Sequence, residues 1–184
     1  LPPRLSIGPS GPIDSKALVN GLYRFADSQI AGDERYLALS RLVHRMPPKL
    51  TGWSVGQPII APGQDILEGS LAAALGMDQT CLYVQGPPGS GKTYTGSRMI
   101  ARLLAAGWRI GIMSNSHKAI NNLLAGVMGV VAEQGLGVGV VKKCTAGRQD
   151  TEFDSPVGAV HNVYSNEDAL ASGAMLVAGT AWLF

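Results

Sequence analysis

Apolar positions along this chain change their period part-way through. Before residue 80 they recur at helical spacing. Leu18, Leu22, Phe25 and Ile30 make one stripe, with Asp14 or Ser15 placed to cap the helix and Gly32 to end it. Tyr36, Leu39, Leu42, Val43 and Met46 make a second stripe, behind a capping Asp33 and ahead of the stop Pro47-Pro48. Two amphipathic helices in series predict an αα packing layer. A third helix is predicted over residues 64–75, where Ile66, Leu67, Leu71, Ala74 and Leu75 share a face and Gly76 supplies the stop. Residues 49–63, dense in Gly and Pro, read as a loop, and residues 1–12 as an extended lead-in.

From residue 81 short apolar runs alternate with helical stretches. Residues 81–85, 109–113, 137–141 and 174–178 predict buried strands. Between them, residues 91–106 carry Met99, Ile100, Leu103 and Leu104 at helical spacing. Ser116 is placed to cap a helix that faces Ile120, Leu123, Leu124, Val127 and Val131 inward, with Gly126 and Gly129 weakening its second half. This alternation predicts an α/β fold with a parallel sheet covered on both faces and ligands at the C-terminal strand edge. Residues 142–172 lack a firm period and carry Lys142, Lys143, Arg148, Asp150, Glu152 and Asp154, which predicts a solvated excursion between two core strands. The division expected is a helical accessory segment and linker over 1–60 and a core domain over 61–184.

Composition adds modest bounds. With 184 residues and 46% apolar content the chain can bury a substantial core, and a net charge of +2 neither demands nor excludes a nucleic-acid partner. Cys81 and Cys144 have no metal-ligand or disulfide spacing, no apolar run approaches membrane-spanning length, and no signal-peptide layout is present, so a cytoplasmic location without membrane contact is expected. Lone His44 and His161 carry no site argument. The absence of an initiator Met, and an apolar run ending in Trp182, Leu183 and Phe184, predict a piece of a longer protein whose last strand is an unpaired edge prone to self-association.

The chemistry concentrates in Gly86-Pro87-Pro88-Gly89-Ser90-Gly91-Lys92-Thr93, a full match to G-x-x-x-x-G-K-[ST] between a predicted strand and a predicted helix. Glycines let backbone amides converge on a phosphate chain, Lys92 sets a compact cation against the outer phosphates, and the Thr93 hydroxyl can ligate Mg²⁺. The helix behind the loop aims its dipole and free amides at the same anion.

The words around the loop narrow the class. Gln85 precedes it, Tyr94-Thr95 follow it, and the next strand ends in Ser114-Asn115-Ser116-His117-Lys118 before Asn121-Asn122-Leu123-Leu124. This set resembles superfamily 1 helicases of the branch whose loop reads QGPPGTGKT, most of all the helicase part of bacterial RecB-like nuclease and helicase fusion proteins. The likeness spans about residues 82–124, with a shorter match around Thr180. It implies a P-loop NTPase of RecA-like fold, here incomplete, that binds ATP and Mg²⁺. Gln85, Gly86, Pro87, Pro88, Gly89, Ser90, Gly91, Lys92, Thr93 and Tyr94 would form the nucleotide site, with Lys92 as the catalytic cation and Thr93 on the metal. Ser114, Asn115, Ser116, His117, Lys118 and Thr180 would meet a single-stranded nucleic acid, DNA ahead of RNA. Gln64 is the candidate to read the adenine edge.

The departures matter too. No apolar strand ending in Asp-Glu follows the loop, since Asp150-Thr151-Glu152 and Glu167-Asp168 lack the apolar residues such a strand needs. The resemblance therefore implies an ATP-dependent helicase for the intact protein and a chain that alone does not hydrolyse ATP or unwind. The rival classes are an AAA+ ATPase or P-loop kinase, and a nucleotide-gated binding module without turnover.

Overall fold

The computed structural model describes residues 15–158 and 160–184, so the expected lead-in and the Asp14 cap lie outside the described residues. In chain order the elements are α1 (Lys16–Ala31), α2 (Leu37–Val43), α3 (Ile66–Leu75), α4 (Lys92–Ala105), β1 (Ile110–Met113), α5 (His117–Glu133), β2 (Val140–Lys143), a 3-10 turn (Gln149–Thr151), β3 (Val160–Val163), α6 (Asn166–Ala171) and β4 (Leu176–Gly179). The strands form one parallel sheet in the order β1-β4-β2-β3. The chain is thus α/β with a four-stranded parallel sheet, as the alternation of periods predicts.

β4 sits inside the sheet, with Leu176 in register with Ile110 on one side and Val140 on the other. This corrects the expectation that the last apolar strand is an unpaired edge; β1 and β3 hold the edges. A strand reading Leu-Val-Ala-Gly has nothing polar to offer water on either face, so the middle of the sheet suits it best. Side-chain alternation then sorts the strand residues onto two faces. Ile112, Val140, Leu176 and Ala178 pack against Ala101 and Leu104 of α4 and Ile120, Leu124, Val127 and Val131 of α5. Val141 packs on the other face with Ala169 of α6, Ala174 and Leu183.

Helix α5 runs unbroken to Glu133, so its two glycines do not end it as their propensity suggests. Gly126 has a packing reason. A Cβ there would stand 3.1 Å from the Cβ of Ser97, so the glycine lets α4 and α5 approach closely.

Three further expectations need correcting. Residues 81–85 belong to no strand: Tyr83 and Val84 are exposed, and among the described residues the segment pairs with none of the four strands. Residues 142–172 are no solvated excursion. They contain the end of β2, all of β3 and α6, and buried Lys142, Cys144, Thr151 and Phe153. Finally, the leucine stripes of α1 and α2 do not build an apolar layer. Leu18, Leu22, Ile30, Leu39, Leu42, Val43 and Met46 are exposed, and the two helices meet through an edge-on Phe25–Tyr36 ring contact, a Ser28–Asp33 hydrogen bond and a Ser40 hydroxyl donated to Gln29 at 2.8 Å. Likewise α3, capped by Asp65, buries its small residues Gly69, Ser70, Ala73 and Ala74, and exposes Ile66.

The two glycines of α5 make a paired test. Gly126→Val should push α4 off α5 and cost about 1–3 kcal/mol. Gly129→Ala, where an added Cβ meets nothing within 4 Å, should stabilise the protein by roughly 0.5–1 kcal/mol. Urea unfolding of both variants reads the difference, and equal midpoints would contradict the packing account.

Candidate functional site

The phosphate-loop motif folds as a glycine-closed turn entering α4. A Cβ on Gly86 would come within 2.3 Å of the Ser90 hydroxyl, while Gly89 at φ 78° and Gly91 at φ 81° occupy the left-handed region that side chains rarely tolerate. The Ser90 amide donates to the Pro87 carbonyl at 3.2 Å, and the Thr95 amide to the Gly91 carbonyl at 2.9 Å opens the helix. The first-turn amides of α4 lack intrahelical acceptors, and that turn carries no acidic residue to compete for them. Lys92 folds back over the turn, its ammonium donating to the carbonyls of Gly86 at 2.6 Å and Pro87 at 2.8 Å. A cradle closed by glycine, crowned by a cation and backed by a helix N-terminus suits a phosphate group.

Gln85, Pro87, Pro88, Gly89, Ser90, Gly91, Lys92, Thr93 and Tyr94 are exposed and Gly86 is half-buried. The loop is held from its downstream side. Ser97, buried against Gly126, donates its hydroxyl to the Tyr94 carbonyl at 3.0 Å, and Arg98 lies 3.5 Å over the Tyr94 ring. Upstream, the Cys81 thiol donates to the Ala38 carbonyl at 3.3 Å. Gln64 does not join the loop; its side-chain oxygen accepts from the Ala61 amide at 3.1 Å.

The second predicted cluster gathers at the C-terminal strand edge. Met113 pairs with Gly179, so the segment that follows β1 and the residue Thr180 that follows β4 leave the sheet side by side. Ser116 caps α5 as expected: its hydroxyl accepts from the Ala119 amide at 3.5 Å, and Ser114 accepts from the Ser116 amide at 3.4 Å. Asn115 and Lys118 are exposed, and Thr180 is half-buried with its carbonyl accepting from Leu183 at 2.9 Å. His117 turns inward. Its Nδ1 lies 3.3 Å from the Lys142 ammonium and its Nε2 3.2 Å from the Thr145 hydroxyl.

Lys142 is the residue that sequence reasoning missed. Its side chain is fully buried, and its ammonium meets three acceptors: the Thr151 carbonyl, His117 Nδ1 and, at 3.7 Å, the Cys144 sulfur. The signal was available in the alternation of β2, which sets Val140, Lys142 and Cys144 on one face, all three with no exposed surface. Burial lowers the pKa of Lys142 and raises that of the Cys144 thiol. The same burial, reinforced by the charges of Lys142 and Lys143, lowers that of His117.

Comparison with protein-family models, curated proteins and solved structures finds no match. Among the described residues no group of three or more His, Cys, Asp or Glu is arranged to hold a metal ion, and no helix is long and apolar enough to cross a membrane.

Because folding lowers the pKa of His117, the unfolded chain takes up its proton first as pH falls. The stability that neutral His117 contributes is whole above about pH 6.5 and is lost as pH drops below it. Asp33 and Asp150, lowered by hydrogen bonds from Ser28 and Arg148, contribute stability that is lost only further into acid. Thermal midpoints from pH 7.5 to 5 should fall, and His117→Gln should flatten that limb. An unchanged slope in the variant would place the titration elsewhere.

Proposed function

We propose that this chain is the ATP-binding part of an ATP-dependent nucleic-acid helicase or translocase, RecA-like in fold. The observation that carries the reading is the glycine-closed turn of residues 86–91, crowned by Lys92 and continued by α4. The loop amides and Lys92 would hold the β and γ phosphates, the phosphate oxygens replacing the Gly86 and Pro87 carbonyls on the ammonium. Thr93 would ligate Mg²⁺, which when bound neutralises phosphate charge. The parallel sheet and the gathering of Ser114, Asn115, Ser116, Lys118 and Thr180 at one strand edge support a strand-contacting track beside that site. In the intact protein, nucleotide binding would alternately close and open this domain on a second one and so advance it along the strand.

Isothermal calorimetry with ATP or ADP and Mg²⁺ tests the nucleotide claim. Wild type should bind and Lys92→Ala should lose at least about tenfold in affinity, on the scale of one charge-assisted hydrogen bond. Equal heats from both proteins would end the reading. Turnover by this chain alone should be negligible, and steady phosphate release abolished by Lys92→Ala would show otherwise.

The strand claim has its own measurement. Single-stranded oligonucleotide should bind weakly, with an affinity that falls as salt rises. Lys118→Ala should make that dependence shallower by about one phosphate contact. An unchanged salt slope returns residues 114–118 to a plain helix cap.

A further inference from the structure

A lysine with no exposed surface calls for an account, because an ammonium in the interior is costly unless its three protons are met. At Lys142 they are met by neutral groups alone: a backbone carbonyl, an imidazole nitrogen and a thiol. Among the described residues no carboxylate forms an ion pair with it, although Glu152 lies close enough to act through its charge. The three acceptors come from separate parts of the chain. Thr151 ends the 3-10 turn, Cys144 follows β2, and His117 opens α5. The connection continues past the ammonium. The Thr145 amide donates to the Thr151 hydroxyl at 2.9 Å, that hydroxyl donates to the Arg148 carbonyl at 2.7 Å, and Asn121 of α5 donates to the Glu152 carbonyl at 2.9 Å.

An ammonium can only donate. His117 Nδ1 must therefore accept from Lys142, which places the ring proton on Nε2, directed to the Thr145 hydroxyl. We propose that Lys142 is a positioning residue for the segment 114–118: it fixes the imidazole of His117 in one tautomer and so pins the N-terminus of α5 to the loop 145–151. The link to nucleic acid rests on the function proposed above; the tautomer and the pinning do not. Protonation of His117 would set two cations against each other across 3.3 Å and break the contact. The other charged groups bearing on the ring are Lys143, Arg148 and Asp150, of which only Asp150 favours the protonated form.

Two readouts separate this role from ordinary packing. The first is the ¹⁵N–¹H spectrum of the histidine rings. Wild-type His117 should appear as the Nε2–H tautomer and titrate below the ordinary imidazole range, and Lys142→Met should move that titration upward. A mixed tautomer at neutral pH, or no movement in the variant, would overturn the proposal. Thr145→Val, at an exposed position, covers the case in which Lys142→Met does not fold. There the ring should stay in the Nε2–H tautomer, because Lys142 still donates to Nδ1, and a mixture of tautomers would assign the fixing to Thr145 and overturn the role of Lys142.

The second readout is the affinity for single-stranded oligothymidylate across a salt series. Lys142→Met should bind about tenfold more weakly at every salt concentration, the scale of one hydrogen bond, with the slope unchanged because no phosphate contact is lost. A shallower slope would put the ammonium on the strand and refute a positioning role. Absence of binding by wild type would remove the function proposed above, and the histidine spectra would still decide the pinning.

Discussion

The ladder on either side of β4 is the contact on which the sheet depends. Leu176 pairs with Ile110 and Val140, Ala178 with Ile112 and Lys142, and without them β1 would have no partner and β2 only β3. The same strand supplies Leu176 and Ala178 to the core beneath α4 and α5. Its neighbours in the sheet come from much earlier in the chain, so closing the ladder requires contacts of long sequence separation. Both candidate segments inherit their position from it: residues 114–118 leave β1 where Met113 meets Gly179, and Thr180 leaves β4 beside them.

Lys142 shows how this sheet tolerates a charge. Its place in β2 is fixed by the pairing of Val140 with Leu176 and Val160, which turns residues 140, 142 and 144 to one face. The side chain is long enough to carry its ammonium beyond the apolar layer of Val140 and Leu176 to polar atoms gathered past the strand ends. Burial, with the Lys142 charge, lowers the pKa of His117; burial also raises that of the Cys144 thiol, against the pull of the same charge. The thiol also donates to the Asn162 side chain at 3.3 Å, which in turn brackets the backbone of Phe153. Residues 144–153 are held by this polar cluster, in place of the apolar periodicity their sequence lacks.

The parts legible in the sequence were those governed by local rules. Helix α5 and its Ser116 cap, the stop of α1 at Gly32, and the strands near residues 110, 140 and 176 follow from period, capping and turn chemistry. The glycine turn of the phosphate-loop motif was legible because its conformation needs those residue types. Strand order was not, since the period of a strand tells which faces are buried and not which segments it pairs with. Residues 81–85 have strand composition but no partner, and pairing is a property of two segments. The burial of Lys142 shows in the sequence only as its alternation with Val140 and Cys144, and the charges that follow it carry the pattern of a solvated stretch.

The turn of residues 86–91 is supported unequally. Beyond it, Ser97 and Gly126 lock α4 onto α5 and through α5 onto the sheet; before it, residues 81–85 run without a ladder, fastened by the Cys81 thiol on the Ala38 carbonyl of α2. In mechanical terms the turn is a cantilever, clamped at one end and compliant at the other. A load on residues 86–91 would therefore pass first into the upstream arm and α2, not into the register of the four strands.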